Sequence, residues 1–172
     1  QAANVLCVGL NEYDKYTNLT YAENDAAQVA GQLEAQGHTV TVLTGASVTR
    51  DGLLAALAAQ PEIVYFAGHG EKGRLMVADG HVNLDEIADL DATLFLDCCF
   101  VGGGLKDAGT LKVLAAAKHE AFESDGHGLF TKHLLGWMED GKDLDNDKIV
   151  SYLQKQVRGE TGGWQKPVLG YI

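Results

Sequence analysis

Basic residues are scarce in this chain: 13 Lys and Arg stand against 24 Asp and Glu, for a formal net charge of −11. The deficit excludes a polyanion binder, which neutralises phosphates with clustered Lys and Arg, so no nucleic-acid partner is expected. An acidic field instead draws cationic partners inward or, as an equal alternative from composition alone, simply keeps the domain in solution. Cysteine is also sparse. Cys7, Cys98 and Cys99 are odd in number, two of them are adjacent, and no CxxC pair occurs. That excludes a disulfide framework and a structural zinc site, and no metal ligand set is assigned. A reducing, cytoplasmic location is the expectation. No apolar run reaches the length that spans a bilayer, and the first residues lack a basic-then-apolar signal pattern, so no membrane association is expected. The chain opens on Gln1 rather than Met, as an excised domain or processed fragment would, which leaves room for flanking regulatory domains. Internal repeats and low-complexity tracts are missing too.

What is present is an ordinary globular composition: 172 residues, 46% hydrophobic and 22% charged, enough for one domain with one substantial core. Short β-rich runs alternate with helical patterns. Strands are expected at Val5–Leu10, Thr39–Leu43, Ile63–Ala67, Thr93–Leu96, Val113–Ala117 and Val168–Ile172. A helix from about Asn24 carries Ala26, Val29, Ala30 and Leu33 on one face and stops at Gly37. A second, capped by Ser47 or Thr49, carries Leu53, Leu54 and Leu57 and ends before Pro61. Asp79-Gly80 marks a hairpin. Two further helices are expected around Phe130–Met138 and Lys148–Val157. Apolar strands separated by helices imply an α/β fold whose mostly parallel six-stranded sheet is covered by helices on both faces. One domain, 1–172, is expected. Gly102–Thr110 is expected to form a flexible loop dividing a longer part (1–104) from a shorter one (105–172).

In open α/β sheets functional groups gather at the carboxyl ends of strands. Two such ends carry reactive side chains: Phe66-Ala67-Gly68-His69-Gly70 and Leu96-Asp97-Cys98-Cys99. A thiol attacks an amide as thiolate and needs a base, which His69 supplies if the third and fourth strands are neighbours. The N–H groups of Gly70 and Cys99 are candidate oxyanion donors. From the residues alone, a small buried Cys and a structurally bonded His remain equal alternatives.

Tyr65-Phe66-Ala67-Gly68-His69-Gly70 resembles the histidine motif of caspase-like cysteine peptidases, and Leu94-Phe95-Leu96-Asp97-Cys98-Cys99 resembles their cysteine motif. Val8–Tyr13, Ala22–Ala26, Gly126–Thr131 and Lys166–Val168 are similar to further family segments in the same order. The closest resemblance is to metacaspases and orthocaspases, within the clan of caspases and gingipains. It implies Cys99 rather than Cys98 as nucleophile, His69 as base, and autoprocessing, expected at Lys106 or Lys112. It also implies cleavage of proteins or peptides after Arg or Lys, recognised by substrate-binding Asp25 and Asp97. The sequence departs from the family at Phe100-Val101-Gly102, where His-Ser-Gly usually follows the nucleophile. No cofactor is required by this resemblance, although it leaves Ca2+ activation open. Asp143-x-Asp145-x-Asp147 starts like a calcium loop but has Lys148 and Gln154 where Gly and Glu belong, and is expected to cap the last helix. The alternative function is a caspase-like interaction or scaffold domain with absent or conditional activity. A nucleotide-binding α/β domain is disfavoured because no glycine-rich phosphate motif follows the first strand.

Overall fold

Strands that are apolar on both faces need a cover on each, and this chain supplies two unlike covers. The computed structural model describes residues 2–172. In chain order the elements are β1 (Asn4–Gly9), α1 (Ala22–Ala35), β2 (Thr39–Thr44), α2 (Arg50–Ala58), β3 (Ile63–Ala67), β4 (Gly70–Glu71), β5 (Arg74–Val77), β6 (Gly80–Asn83) and β7 (Thr93–Asp97). There follow β8 (Lys112–Ala115), β9 (Glu123–Ser124), β10 (His127–Gly128), α3 (Leu129–Glu139), α4 (Ile149–Thr161) and β11 (Val168–Tyr171). Six strands form one sheet in the order β11-β8-β7-β3-β1-β2. All of its pairs are parallel except β11 with β8. This is the six-stranded, mostly parallel α/β sheet expected from the alternation of elements.

Period-two alternation sorts the strand side chains. Leu6, Val8, Val64, Phe66, Leu94, Leu96 and Val113 face Leu53 and Leu57 of α2 together with Leu75, Val77 and Val82 of the β4–β6 sheet. Val5, Cys7, Tyr65, Phe95 and Leu114 face α1 through Val29 and Leu33, α3 through Phe130 and Leu134, and α4 through Leu153. Each fully buried Leu or Phe contributes roughly 1.5–3 kcal/mol relative to exposure. The two layers therefore make the sheet the stable platform on which the loops stand. No helix is long and apolar enough to cross a membrane among the described residues.

Local signals mostly act where the sequence places them. Thr49 caps α2, its Oγ1 accepting the Gly52 N–H at 3.0 Å. Gly37 (φ 93°) ends α1 with its own N–H on Glu34 O and that of His38 on Leu33 O, the paired bonds of a Schellman stop. Three expectations need correction. Gly102–Thr110 is not free: Lys106 exchanges backbone hydrogen bonds with Tyr171 of β11, and Thr110 N–H donates to Ile172 O. The fifth strand stops at Ala115, so Ala116 and Ala117 leave the sheet and enter a loop. Finally, the aspartates before α4 do not cap it; the Asn146 side chain does the local work, accepting the Lys148 N–H at 3.0 Å.

Leu94→Ala, in a central strand with no exposed surface, is expected to lower stability by about 2–5 kcal/mol. Val42→Ala, on edge strand β2 and 44% exposed, is expected to cost under about 1 kcal/mol. Urea unfolding of both variants checks the contrast.

Candidate active site

The register of β3 with β7 pairs Ala67 with Asp97. His69 and Cys99 each stand two residues beyond that pair, so the two parallel strands deliver them to the same edge of the sheet. Both line one cavity of about 90 Å³, together with Asp25, Asp97, Gly68, Phe122, Glu123 and Gly128. The structure therefore gathers all four predicted side chains, His69, Cys99, Asp25 and Asp97, around one space.

His69 is held from three sides. Its backbone N–H donates to Tyr13 Oη at 2.8 Å, and the two rings meet edge to face with centroids 4.6 Å apart. Tyr16 lies 5.5 Å from the imidazole on centroids. Ring Nε2 sits 2.6 Å from the carbonyl oxygen of Thr17. A carbonyl only accepts, so Nε2 carries the proton and Nδ1 is left as the basic nitrogen. The loop bearing these contacts is itself tied down, Tyr13 N–H donating to Asn18 Oδ1 at 3.0 Å.

Cys99 is half-buried. Its Sγ accepts the Ala121 N–H at 3.3 Å and lies 3.8 Å from Ala121 O. No hydrogen bond joins Sγ to His69 among the described residues. Burial pushes the Cys99 thiol up, the Ala121 N–H opposes this, and the carboxylates of Asp97, Glu120 and Glu123 push it further. Cys98, 3% exposed, faces the core and is pushed well up by burial.

The two predicted oxyanion donors have distinct settings. Met76 N–H donates to His69 O, which makes Gly70–Leu75 the neighbouring non-hydrogen-bonded pair of the antiparallel β4–β5 ladder. The Gly70 N–H therefore points away from β5. A Cβ on Gly70 would strike Val101, Cys98 Sγ and Cys99 O at 2.6–2.8 Å, so only glycine lets this strand approach the Cys98–Val101 segment. The Cys99 N–H has no acceptor among the described residues. Phe100, which follows it, is left-handed (φ 64°) and 43% exposed.

Asp25 and Asp97 are buried, at 2% and 8% exposure. Asp25 lies in the first turn of α1 without making a side-chain cap hydrogen bond there. Oδ1 meets His127 Nδ1 at 2.6 Å and Oδ2 accepts the Gly128 N–H at 2.8 Å, both on the β9–β10 hairpin. Asp97 reaches α3, its Oδ2 accepting Thr131 Oγ1–H at 2.6 Å and Thr131 N–H at 3.2 Å. Gly128 is glycine of necessity, since a Cβ there would run into the Asp97 carboxylate. Burial pushes Asp97 up to about 7 against those bonds, with Asp25 raising it further. Burial likewise raises Asp25, opposed by His127 and Gly128.

The Tyr13, Thr17, Ala121 and His127 contacts were not assigned from the sequence. A backbone carbonyl such as that of Thr17 leaves no trace in residue type, and His127 lay inside a recognised segment without a role. Lys112, one candidate cleavage point, opens β8 and is paired with Thr93 and Tyr171 inside the sheet, whereas Lys106 bridges only the outer edge of β11.

Two outcomes follow from this geometry. Native Asp97 keeps a proton that the unfolded chain releases above 3.8, so it makes stability fall as pH rises from about 4 to about 7. Asp97→Asn is expected to remove that decline, on the order of a few kcal/mol, in urea unfolding at pH 5 and pH 8. An unchanged slope would refute the assignment. Secondly, iodoacetamide is expected to label only Cys99 in the native state, because Cys7 is fully buried and pushed up to about 12. Peptide mapping reads this out.

No curated protein matches the chain. The Caspase domain family model matches residues 3–170, which takes in every strand-end and loop residue of the cavity. A thiol and an imidazole brought to one rim of a mostly parallel sheet, with that match, place the chain in the caspase domain family of cysteine peptidases.

Proposed function

We propose that this chain is a cysteine endopeptidase that cuts after Arg or Lys, in the manner of metacaspases and orthocaspases. The observation that carries the proposal is the pair of buried carboxylates, Asp25 and Asp97, lining the same cavity as Cys99 and His69. A guanidinium or ammonium entering that cavity gains charge-assisted hydrogen bonds in a desolvated site. An aspartate side chain would meet two carboxylates instead.

The chemistry uses the atoms already described. Sγ of Cys99 attacks the scissile carbonyl carbon while its proton passes to His69 Nδ1. The N–H groups of Gly70 and Cys99 hold the resulting oxyanion. The C–N bond breaks as His69 returns the proton to the leaving amine, and a thioester remains. Water, its proton taken by His69, attacks the thioester and releases the acid and the free thiol. Asp97, which recognises substrate in this reading, also raises the thiol. A bound cation offsets that field, so the correct side chain eases deprotonation of the nucleophile as well as binding.

Conditional activity is favoured as a second reading because no hydrogen bond joins Sγ to His69 among the described residues, and the Ala121 N–H is the group that reaches the sulfur. Calcium belongs to this question as a trigger, not as a group in the reaction. Self-cleavage, where it occurs, is assigned to Lys106, because cutting at Lys112 would tear the central sheet.

Fluorogenic peptides ending in Arg, Lys or Asp, with and without calcium, test the proposal. Arg and Lys are expected to exceed Asp by on the order of a hundredfold in kcat/KM, from like-charge repulsion alone. Cys99→Ala and His69→Ala are expected to fall to background. Asp preference sinks the specificity, and turnover by Cys99→Ala sinks the mechanism. KM for the Arg peptide is expected to fall as pH rises through about 7, where Asp97 ionises.

A further inference from the structure

One buried polar side chain outside the cavity organises the loop that holds the nucleophile. Gln165, in the segment between α4 and β11, has no exposed surface. Its Oε1 accepts the Phe122 N–H at 2.7 Å, and its Nε2 donates to Ala116 O at 3.1 Å. Ala116 is the residue where the chain leaves β8, and Phe122 is where it enters the β9–β10 hairpin. A single amide thus closes the two ends of the loop Ala116–Phe122.

That loop wraps the nucleophile segment bond by bond. Ala117 O accepts the Gly102 N–H at 3.0 Å, His119 O accepts the Phe100 N–H at 2.6 Å, and Ala121 N–H reaches Cys99 Sγ at 3.3 Å. The last of these is the one hydrogen bond that favours the thiolate, against burial and three carboxylates. Gln165 fixes the peptide joining Ala121 to Phe122 from the far side, and Leu129 N–H fixes the Phe122 carbonyl at 2.7 Å. Gln165 is anchored in turn, its N–H donating to Thr161 Oγ1 at 3.0 Å at the end of α4. A buried amide with both its donor and its acceptor used is a high-stakes position: losing it leaves Phe122 N–H and Ala116 O unpaired.

We propose that Gln165 is a positioning residue that aims the Ala121 N–H at Cys99 Sγ and so sets how readily the nucleophile ionises. The proposal rests on Cys99 being the nucleophile, but its test does not need peptide hydrolysis. Gln165→Met keeps the length and apolar bulk and removes both hydrogen bonds. The pH dependence of iodoacetamide alkylation at Cys99, followed by mass spectrometry, reads the thiolate directly. Gln165→Met is expected to alkylate about tenfold more slowly than wild type at a fixed near-neutral pH, its apparent pKa about one unit higher. Thermal unfolding confirms a folded variant.

Gln165→Glu supplies a second measurement, needed where the Met variant does not fold. Its protonated carboxyl keeps an acceptor for Phe122 N–H and a donor for Ala116 O, whereas its carboxylate loses the donor. Its alkylation rate relative to wild type is expected to approach one in acid and to fall as pH rises. Alkylation profiles of both variants that superimpose on wild type overturn the proposal. Arginine-peptide turnover is a separate arm. Absence of turnover in wild type, with the alkylation shift intact, counts against the peptidase reading and leaves the positioning role standing.

Discussion

The parallel pairing of β3 with β7, in the register that sets Ala67 beside Asp97, is the constraint on which the rest of the molecule depends. Parallel ladders project corresponding residues from the same end, so a fixed two-residue extension brings an imidazole and a thiol to one rim. Slipping that register by one residue would turn every side chain of the strand to the opposite face. Neither core layer would tolerate this, because Phe66 and Leu96 belong to one cover and Tyr65 and Phe95 to the other. The packing of two dissimilar layers is what holds the chemistry in place.

Loops then complete what the strands begin, and they do so with backbone atoms. Thr17 O sets the tautomer of His69, and Ala121 N–H meets the sulfur of Cys99. The β4–β5 ladder leaves the Gly70 N–H unpaired by its partner strand. These groups cost no charge and are held by neighbours that lie far away in sequence. That suits a site in which charge is already abundant and unfavourable to a thiolate.

The buried carboxylates serve two ends at once. Asp25 ties α1 to the β9–β10 hairpin through His127 and Gly128, and Asp97 ties β7 to the start of α3 through Thr131. Burying a carboxyl without partners is prohibitive, so each is paired, and each still borders the cavity. Asp97, but not Asp25, is also among the carboxylates that raise the Cys99 thiol. Two buried side chains therefore join neighbouring elements and line the cavity together.

Much of this was legible in residue order. Alternating apolar runs, the Thr49 cap, the Gly37 stop and the Asp79-Gly80 hairpin are local features, and local geometry and burial period determine them. The candidate side chains His69 and Cys99 were also visible, since strand-end position and residue chemistry are both written in order, whereas Asp25 and Asp97 came from the resemblance to caspase-like peptidases. Other features were not. The Lys106–Tyr171 bridge looked like a flexible glycine-rich loop, because its order comes from the distant strand β11 rather than from its own residues. Asp143, Asp145 and Asp147 looked like a cap, whereas Asn146 took the bond by turn geometry. Gln165 looked like any polar residue near the end of the chain. The sequence by itself determined which groups can react and on which strand ends they stand. Only the tertiary structure decided which backbone atoms hold them, because a hydrogen bond to a carbonyl or an N–H depends on where the chain passes, not on which residue passes there.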